Sequence, residues 1–231
     1  QQKALPKQFA IIGFSRRDWS DDTFRKKVKN ILKHVAKNKS KLELFLKLFH
    51  FQPGLFHEKE SYKNLSRHVD RIDKKWGVCT NTLFHLAVPP DYYSLILKNL
   101  AHYGLTQKCG PKEGWSRILV EKPFGNDLKT AQNLDSMLGF IFKEKQIFRV
   151  DHYLGKETIQ NILTFRFSNA LFEPIWNNKY IQKVEIKLLE KGDIVSRGEY
   201  YDATGALRDV GQNHILQMLA LIAMEHPGDL K

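Results

Sequence analysis

Four short strings hold most of the residues equipped for chemistry: Arg16-Arg17, Glu121-Lys122-Pro123, Asp151-His152-Tyr153 with Lys156, and Arg208-Asp209 with Gln212, Asn213, His214 and Gln217. The last set interrupts an otherwise apolar segment. Buried polar groups must be satisfied, so six of them in a greasy helix read as the wall of a site rather than a core. Histidine is the usual general base near neutral pH, and a carboxylate partner fixes its tautomer. In the third set, His152 and Lys156 suit an anionic group such as a phosphate, helped by the N-terminus of the helix that follows. The alternative there is plain capping, with Asp151 as the cap and Lys156 in solvent. Lys122 precedes Pro123, a bond that a turn can hold cis; it suits a substrate hydroxyl or a nicotinamide amide, or else is a surface lysine.

The elements that must position these groups alternate. Residues 8–14 form a short apolar run ending at Gly13, and Ser20 offers an N-cap with Asp21 and Asp22 in the first turn. Phe24, Val28, Ile31, Leu32 and Val35 recur at helical spacing with lysines between them, an amphipathic helix with a wet basic side. Leu42–Phe51 reads as a second helix closed by Pro53-Gly54, and Tyr62, Leu65, Val69 and Ile72 mark a third. Thr82–Val88, Ile118–Val120 and Ile147–Val150 read as strands; Tyr92–His102 and the stripe Leu128, Ala131, Leu134, Leu138, Ile141 read as helices. This alternation predicts a parallel α/β sheet up to about residue 150. In such sheets ligands sit beyond the carboxyl ends of the strands, where Gly13–Arg17, Ala87–Pro90, Glu121–Pro123 and Asp151-His152 lie. Arg16 and Arg17 follow the first strand; in a dinucleotide fold an arginine there would meet an adenosine 2′-phosphate, and otherwise the two are solvated loop residues.

After residue 157 the texture changes. Lys183–Leu188 alternates with period two, as a half-exposed strand of an antiparallel sheet does, and residues 204–226 read as one long apolar helix. The expected fold class is therefore α/β followed by α+β, with domains at 1–150 and 151–231.

The 231 residues are 42% apolar and include 15 Phe, 8 Tyr and 4 Trp, which excludes intrinsic disorder. The longest apolar run, Met218–Met224, is far short of a membrane span. Cys79 and Cys109 stand thirty residues apart without a CxxC partner, so a disulfide scaffold and a structural zinc site are not expected and a reducing cytosol fits. No metal site is expected from the nine histidines, and His50 and His57 read as surface or packing residues. The net charge of +12 is uneven: residues 1–75 hold 19 Lys and Arg against 8 Asp and Glu, a net of +11. That asymmetry fits an anionic partner, or merely a solvated helix face.

The strings Arg149-Val150-Asp151-His152-Tyr153-Leu154-Gly155-Lys156-Glu157, Glu121-Lys122-Pro123-Phe124-Gly125, Phe172-Glu173-Pro174-Ile175-Trp176-Asn177 and Arg208-Asp209-Val210-Gly211-Gln212-Asn213-His214 resemble, in order and spacing, the glucose-6-phosphate dehydrogenase family. The resemblance runs from about Leu5 to Pro227. It implies a Rossmann-like parallel domain followed by an antiparallel-sheet-plus-helix domain, and oxidation of glucose 6-phosphate at C1 by NADP⁺ in the cytoplasm. It also implies roles: His214 as general base, Asp151 to orient it, and His152, Tyr153 and Lys156 to hold the sugar phosphate. Glu190 and Asp209 would bond sugar hydroxyls, and Lys122 would touch both sugar and nicotinamide. Arg16, with Arg17, would take the 2′-phosphate, and Ala87-Val88-Pro89 would line the cofactor cleft. A homodimer or homotetramer is implied for the complete enzyme, with neither nucleic acid nor membrane as partner. The family's glycine-rich turn is expected to precede residue 1, and further sheet to follow Lys231, so residues 1–231 alone are not expected to be active. The competing expectation is a basic module in which residues 21–47 meet nucleic acid or another anion. A related sugar dehydrogenase or an inactive paralogue is the third. The basic stretch lacks interleaved stacking aromatics and any recognised reader motif, which weighs against the module.

Overall fold

A computed structural model describes residues 6–107, 114–125, 127–189 and 198–228. Contacts divide the chain into two compact units: residues 1–119 with 134–148, and residues 120–133 with 149–231.

In the first unit β1 (Ile11–Ser15) pairs in parallel with β2 (Phe49–Pro53), Ile11 opposite Phe49 and Ser15 opposite Pro53. A parallel pair needs a crossover, supplied here by α1 (Asp21–Leu32) and α2 (Lys39–Leu46). The Ser20 side chain caps α1 by accepting the Thr23 N–H, as its position before the acidic first turn predicts. The start of α1 is bonded to β2: Asp21 accepts the Phe51 N–H at 2.8 Å, and Arg25 Nε donates to the Phe49 carbonyl at 2.9 Å. Burial works against the charge on Asp21, but the Phe51 N–H, His50 and Arg25 outweigh it and hold the carboxyl below its ordinary value.

Three readings are corrected in this region. Residues 42–51 are not one helix: α2 ends at Leu46 and Phe49–Phe51 belong to β2. A short apolar run carries no period of its own, and pairing with β1 decides it. The basic stretch 25–47 is likewise not one continuous helix, since α1 stops at Leu32 and α2 starts at Lys39. The first strand spans Ile11–Ser15 rather than 8–14.

A second sheet has the order β3 (Thr82–Leu86), β4 (Ser116–Glu121), β5 (Ile147–Val150). Helices connect the elements: α3 (Lys59–Trp76) lies between β2 and β3, α4 (Tyr93–His102) between β3 and β4, and α5 (Leu128–Ile141) between β4 and β5. Tyr62, Tyr93, Leu97, Ile118 and Leu138 are almost fully buried and mark the core. Each such side chain contributes about 1.5–3 kcal/mol on leaving water. Tyr62 donates its hydroxyl to the Phe56 carbonyl, and burial pushes its pKa up to about 12. Cys79 is disulfide-bonded.

The second unit takes in the chain as it leaves β4 and β5. It contains α6 (Glu157–Phe167), α7 (Gly198–Ala206), a π-helix (Leu207–Ile215) and α8 (Leu216–Ala223). The single long helix expected over 204–226 is thus three pieces. Gly205 breaks it, with φ 71° and ψ 162°, a conformation open to glycine alone. Lys183–Leu188 forms no strand in the described structure. Period-two alternation is only an invitation, and a strand exists when a second strand takes up its N–H and C=O groups; none does among the described residues.

The end of α8 is clamped. Arg166, 3% exposed, donates to the carbonyls of Leu221 and Met224, both at 2.7 Å. Trp176 Nε1 donates to the Ile222 carbonyl at 2.8 Å. The last turn of a helix leaves its carbonyls without partners and favours a positive charge, and here two side chains supply both. The same arginine lies over the rings of Phe167 and Trp176.

Candidate active site

The site in the second unit is built from the ends of two neighbouring strands and one unusual helix. Lys122 follows β4 directly, and the Lys122–Pro123 peptide bond is cis. Gly125 has φ 120°, and a Cβ there would stand 2.5 Å from the Ala131 nitrogen, so the turn into α5 demands glycine. Asp151 follows β5, and its Oδ1 accepts the Tyr153 N–H at 3.0 Å, capping the short 3₁₀ turn His152–Gly155. Capping is therefore one of its tasks.

The other is His214. Nδ1 of His214 and Oδ1 of Asp151 lie 2.6 Å apart, with side chains 2% and 9% exposed. With Nδ1–H donated to the carboxylate, Nε2 is left with the lone pair. Burial of His214, then the nearby Lys122 charge, holds its pKa below the ordinary histidine value, against the pull of Asp151. Both causes favour the neutral imidazole, the form that can accept a proton. Oδ2 of Asp151 is buried with no hydrogen-bond partner among the described residues, and Oδ1 accepts both the Tyr153 N–H and the imidazole N–H.

The rings of Tyr153 and His214 stack with centroids 4.0 Å apart, and the His152 ring meets His214 edge-on at 4.7 Å. Lys156 Nζ stands 3.5 Å from the centre of the Tyr153 ring, and Lys156 itself is the N-cap of α6. Both His152 and Lys156 are exposed. Lys122 Nζ donates to Asp209 Oδ1 at 2.7 Å and to the Asp209 carbonyl at 2.6 Å.

Asp209 and His214 are buried together because the helix carrying them is a π-helix. On an α-helix, five steps of about 100° leave two residues about 140° apart. The wider i to i+5 turn brings them nearly one above the other. Asn213 holds this turn: its Nδ2 donates to the Arg208 carbonyl five residues back at 2.9 Å, and its Oδ1 accepts the His214 N–H at 3.0 Å. Asn213 was noted in the sequence as a polar interruption, but not as the support of a widened helix. Arg208, Gln212 and Gln217 are exposed.

Asp151, His152 and His214 offer ligand atoms within 4.8 Å of one another. Two ligands of one zinc ion, each about 2.1 Å from it, stand well over 3 Å apart. The 2.6 Å contact is a hydrogen bond, and a cation between Asp151 and His214 would have to break it. The geometry is that of a buried, hydrogen-bonded carboxylate–imidazole pair.

In the first unit, Arg16 and Arg17 are exposed immediately after β1. The Arg17 guanidinium lies over the Trp19 ring at 5.0 Å, whereas Arg16 makes no recorded bond among the described residues. Ala87, Val88 and Pro89 follow β3, Ala87 and Pro89 exposed and Val88 half-buried. Glu190 lies outside the described residues.

The family model for the NAD-binding domain of glucose-6-phosphate dehydrogenase matches residues 1–161, and that for its C-terminal domain matches residues 163–231. The chain belongs to the glucose-6-phosphate dehydrogenase family. Within that family it is similar to the glucose-6-phosphate 1-dehydrogenase of Borreliella burgdorferi, 47% identical over 219 residues, 95% of this chain and 43% of that protein. It is also similar to the enzyme of that name from Bacillus subtilis, 39% identical over 227 residues, 98% of this chain and 45% of that one. A solved glucose-6-phosphate dehydrogenase in complex with its substrate glucose-6-phosphate superposes with a TM-score of 0.86 at 36% identity, over 96% of this chain and 46% of that one. A second, glucose-6-phosphate 1-dehydrogenase from Mycobacterium avium, gives 0.80 at 32% identity, over 96% of this chain and 47% of that one. The chain spans under half the length of the glucose-6-phosphate dehydrogenase relatives it matches. The fold class is thereby that of the family, a Rossmann-like parallel domain followed by the start of its C-terminal domain, and the model matched by residues 1–161 is that of a nicotinamide-dinucleotide-binding domain. Among the described residues, no helix is long and apolar enough to cross a membrane.

Proposed function

We propose that this protein oxidises D-glucose 6-phosphate at C1 to 6-phospho-D-glucono-1,5-lactone with NADP⁺, the opening step of the oxidative pentose phosphate pathway. The Asp151–His214 hydrogen bond carries this reading, because it fixes the imidazole with Nε2 free to take a proton, while burial and Lys122 disfavour its charged form.

In this reading His214 Nε2 takes the proton of the C1 hydroxyl, and the electron pair of that O–H bond becomes part of the C1 carbonyl. The nicotinamide, when bound, accepts the C1 hydrogen as hydride. Asp151 keeps the imidazole oriented and stabilises the imidazolium that forms, the part an aspartate plays in a catalytic triad. His152, Tyr153 and Lys156 hold the sugar phosphate beside the N-terminus of α6, where backbone N–H groups favour an anion. Asp209, with Glu190, accepts sugar hydroxyls, while Lys122, held by Asp209, donates to sugar and nicotinamide.

The residues present fit NADP⁺ in one respect that bears on its phosphate. Arg17 is engaged by Trp19, which leaves Arg16 as the guanidinium for the 2′-phosphate. Ala87-Val88-Pro89 lines the dinucleotide cleft, residues 1–150 form the cofactor domain and 151–231 the substrate domain. Both reactants carry phosphate charge and do not cross a bilayer unaided, so the reading places the enzyme in the cytoplasm with them. It acts as a homodimer or homotetramer, with neither nucleic acid nor membrane as partner.

The test follows NADPH absorbance for the intact protein beside its His214→Asn variant. Loss of a general base costs about 10²–10⁴ in kcat with little change in KM. Turnover close to that of the parent would remove His214 from its role.

A further inference from the structure

An open groove of about 440 Å³ lies in the first unit, lined by Gln52 of β2 and by Asn64, Arg67, Asp70, Arg71 and Lys74 of α3. None of these residues has a part in the reaction above. Pockets for small organic ligands are lined mostly by apolar and aromatic side chains with a few polar groups. This one has three cations, two carboxamides and a single carboxylate.

Arg67, Arg71 and Lys74 recur at i, i+4 and i+7, which puts all three on one face of α3. Like charges so placed repel one another, and the carboxylates of Asp70, four residues before Lys74, and of Glu60, 3.5 Å from Arg67, offset only part of that charge. Arg67, Asp70, Arg71 and Lys74 are all exposed, and Arg67 Nη1 also stands 3.5 Å from Glu60 Oε1. Arg67 Nη1 bonds Asn64 Oδ1 at 3.2 Å, and Arg71 Nε donates to the Arg67 carbonyl at 3.4 Å. The two walls are tied by His68 Nδ1 and Gln52 Oε1, 3.2 Å apart. Burial, then Arg71 and His50, keeps His68 below the ordinary histidine pKa, a sign of the positive potential around the groove.

We propose that this groove binds an anion made of two or more linked phosphoryl groups, as in pyrophosphate or the polyphosphate tail of a nucleotide. Arg67 to Lys74 advances about 10 Å along the helix axis, too far for one phosphate to meet all three cations and suited to a chain of them. The excess of 19 basic over 8 acidic residues in positions 1–75 draws such an anion towards this unit. Asp70 opposes it from within the groove and so limits its affinity.

Calorimetric titration at fixed ionic strength tests the site with pyrophosphate, tripolyphosphate, ATP and orthophosphate. The linked phosphates bind, and orthophosphate binds at least about tenfold more weakly. ATP tighter than tripolyphosphate marks a nucleotide as the source; equal affinity marks the phosphate chain alone. Arg71→Gln and Lys74→Gln each weaken pyrophosphate about tenfold or more, as the loss of one charge-assisted bond does. Asp70→Asn tightens it, a gain that no misfolded variant produces. Arg16→Ala leaves it unchanged, which separates this groove from the proposed cofactor site. The absence of binding heat with pyrophosphate, undiminished affinity in Arg71→Gln and Lys74→Gln, or loss of binding in Arg16→Ala overturns the proposal.

Discussion

Asp151 and His214, 63 residues apart in the chain, share a 2.6 Å hydrogen bond that buries both side chains and leaves one imidazole nitrogen free. The carboxylate stands one residue beyond a strand and the imidazole near the end of a π-helix, so neither element alone contains the dyad.

Removing the carboxylate charge from this pair has two readable effects. Asp151→Asn should lower kcat less than His214→Asn does, because it disturbs orientation and charge without deleting the base. Asp151 raises the pKa of His214, so its loss should move the acid limb of the kcat/KM profile to lower pH. A limb that stays in place, or moves up, would separate Asp151 from the titrating group.

Lys122 acts in the opposite direction. Its charge disfavours imidazolium, so Lys122→Gln should raise the pKa of His214 and shift the acid limb to higher pH. The His214 ring proton, followed by NMR titration, reports this without relying on turnover. An unchanged or lowered midpoint counts against the coupling.

For the cofactor, Arg16→Ala should weaken NADP⁺ far more than NAD⁺, since only NADP⁺ carries the phosphate a guanidinium can clasp. Arg17→Ala should discriminate less, because its guanidinium is already placed over Trp19. Fluorescence titration with both dinucleotides measures the two ratios. Equal losses of NADP⁺ and NAD⁺ on removing Arg16 would assign it to the fold or to adenine.

The clamp on α8 should be worth more than an ordinary hydrogen bond. Arg166→Gln forfeits charged bonds to two helix-end carbonyls and should destabilise the protein by about 2–3 kcal/mol. Trp176→Phe loses one neutral donor to the Ile222 carbonyl and should cost about 1 kcal/mol. Urea unfolding followed by circular dichroism gives both values; equal losses for the two variants would mean the charge contributes nothing.

The sequence by itself determined the elements whose signals are local. Ser20 before Asp21-Asp22 placed the start of α1, and the stripe from Leu128 to Ile141 placed α5. A cap or a helical stripe is written within a few residues, so neighbours alone can specify it. The strings at Lys122, Asp151 and His214 were legible for the same reason, since each is contiguous and follows or interrupts a recognisable element.

Only the tertiary structure decided the rest. Phe49–Phe51 became a strand because β1 offered its backbone groups, which no window around residue 50 contains. Lys183–Leu188 has the strand pattern without a partner and forms no ladder in the described structure. The joint burial of Asp209 and His214 needs a π-turn, whose support runs through the Asn213 side chain and the Lys122 ammonium 87 residues upstream of Asp209. Periodicity reads an α-helix there because the two helices differ by one step in hydrogen-bond partner, and that step is settled by side-chain bonds and packing rather than by composition.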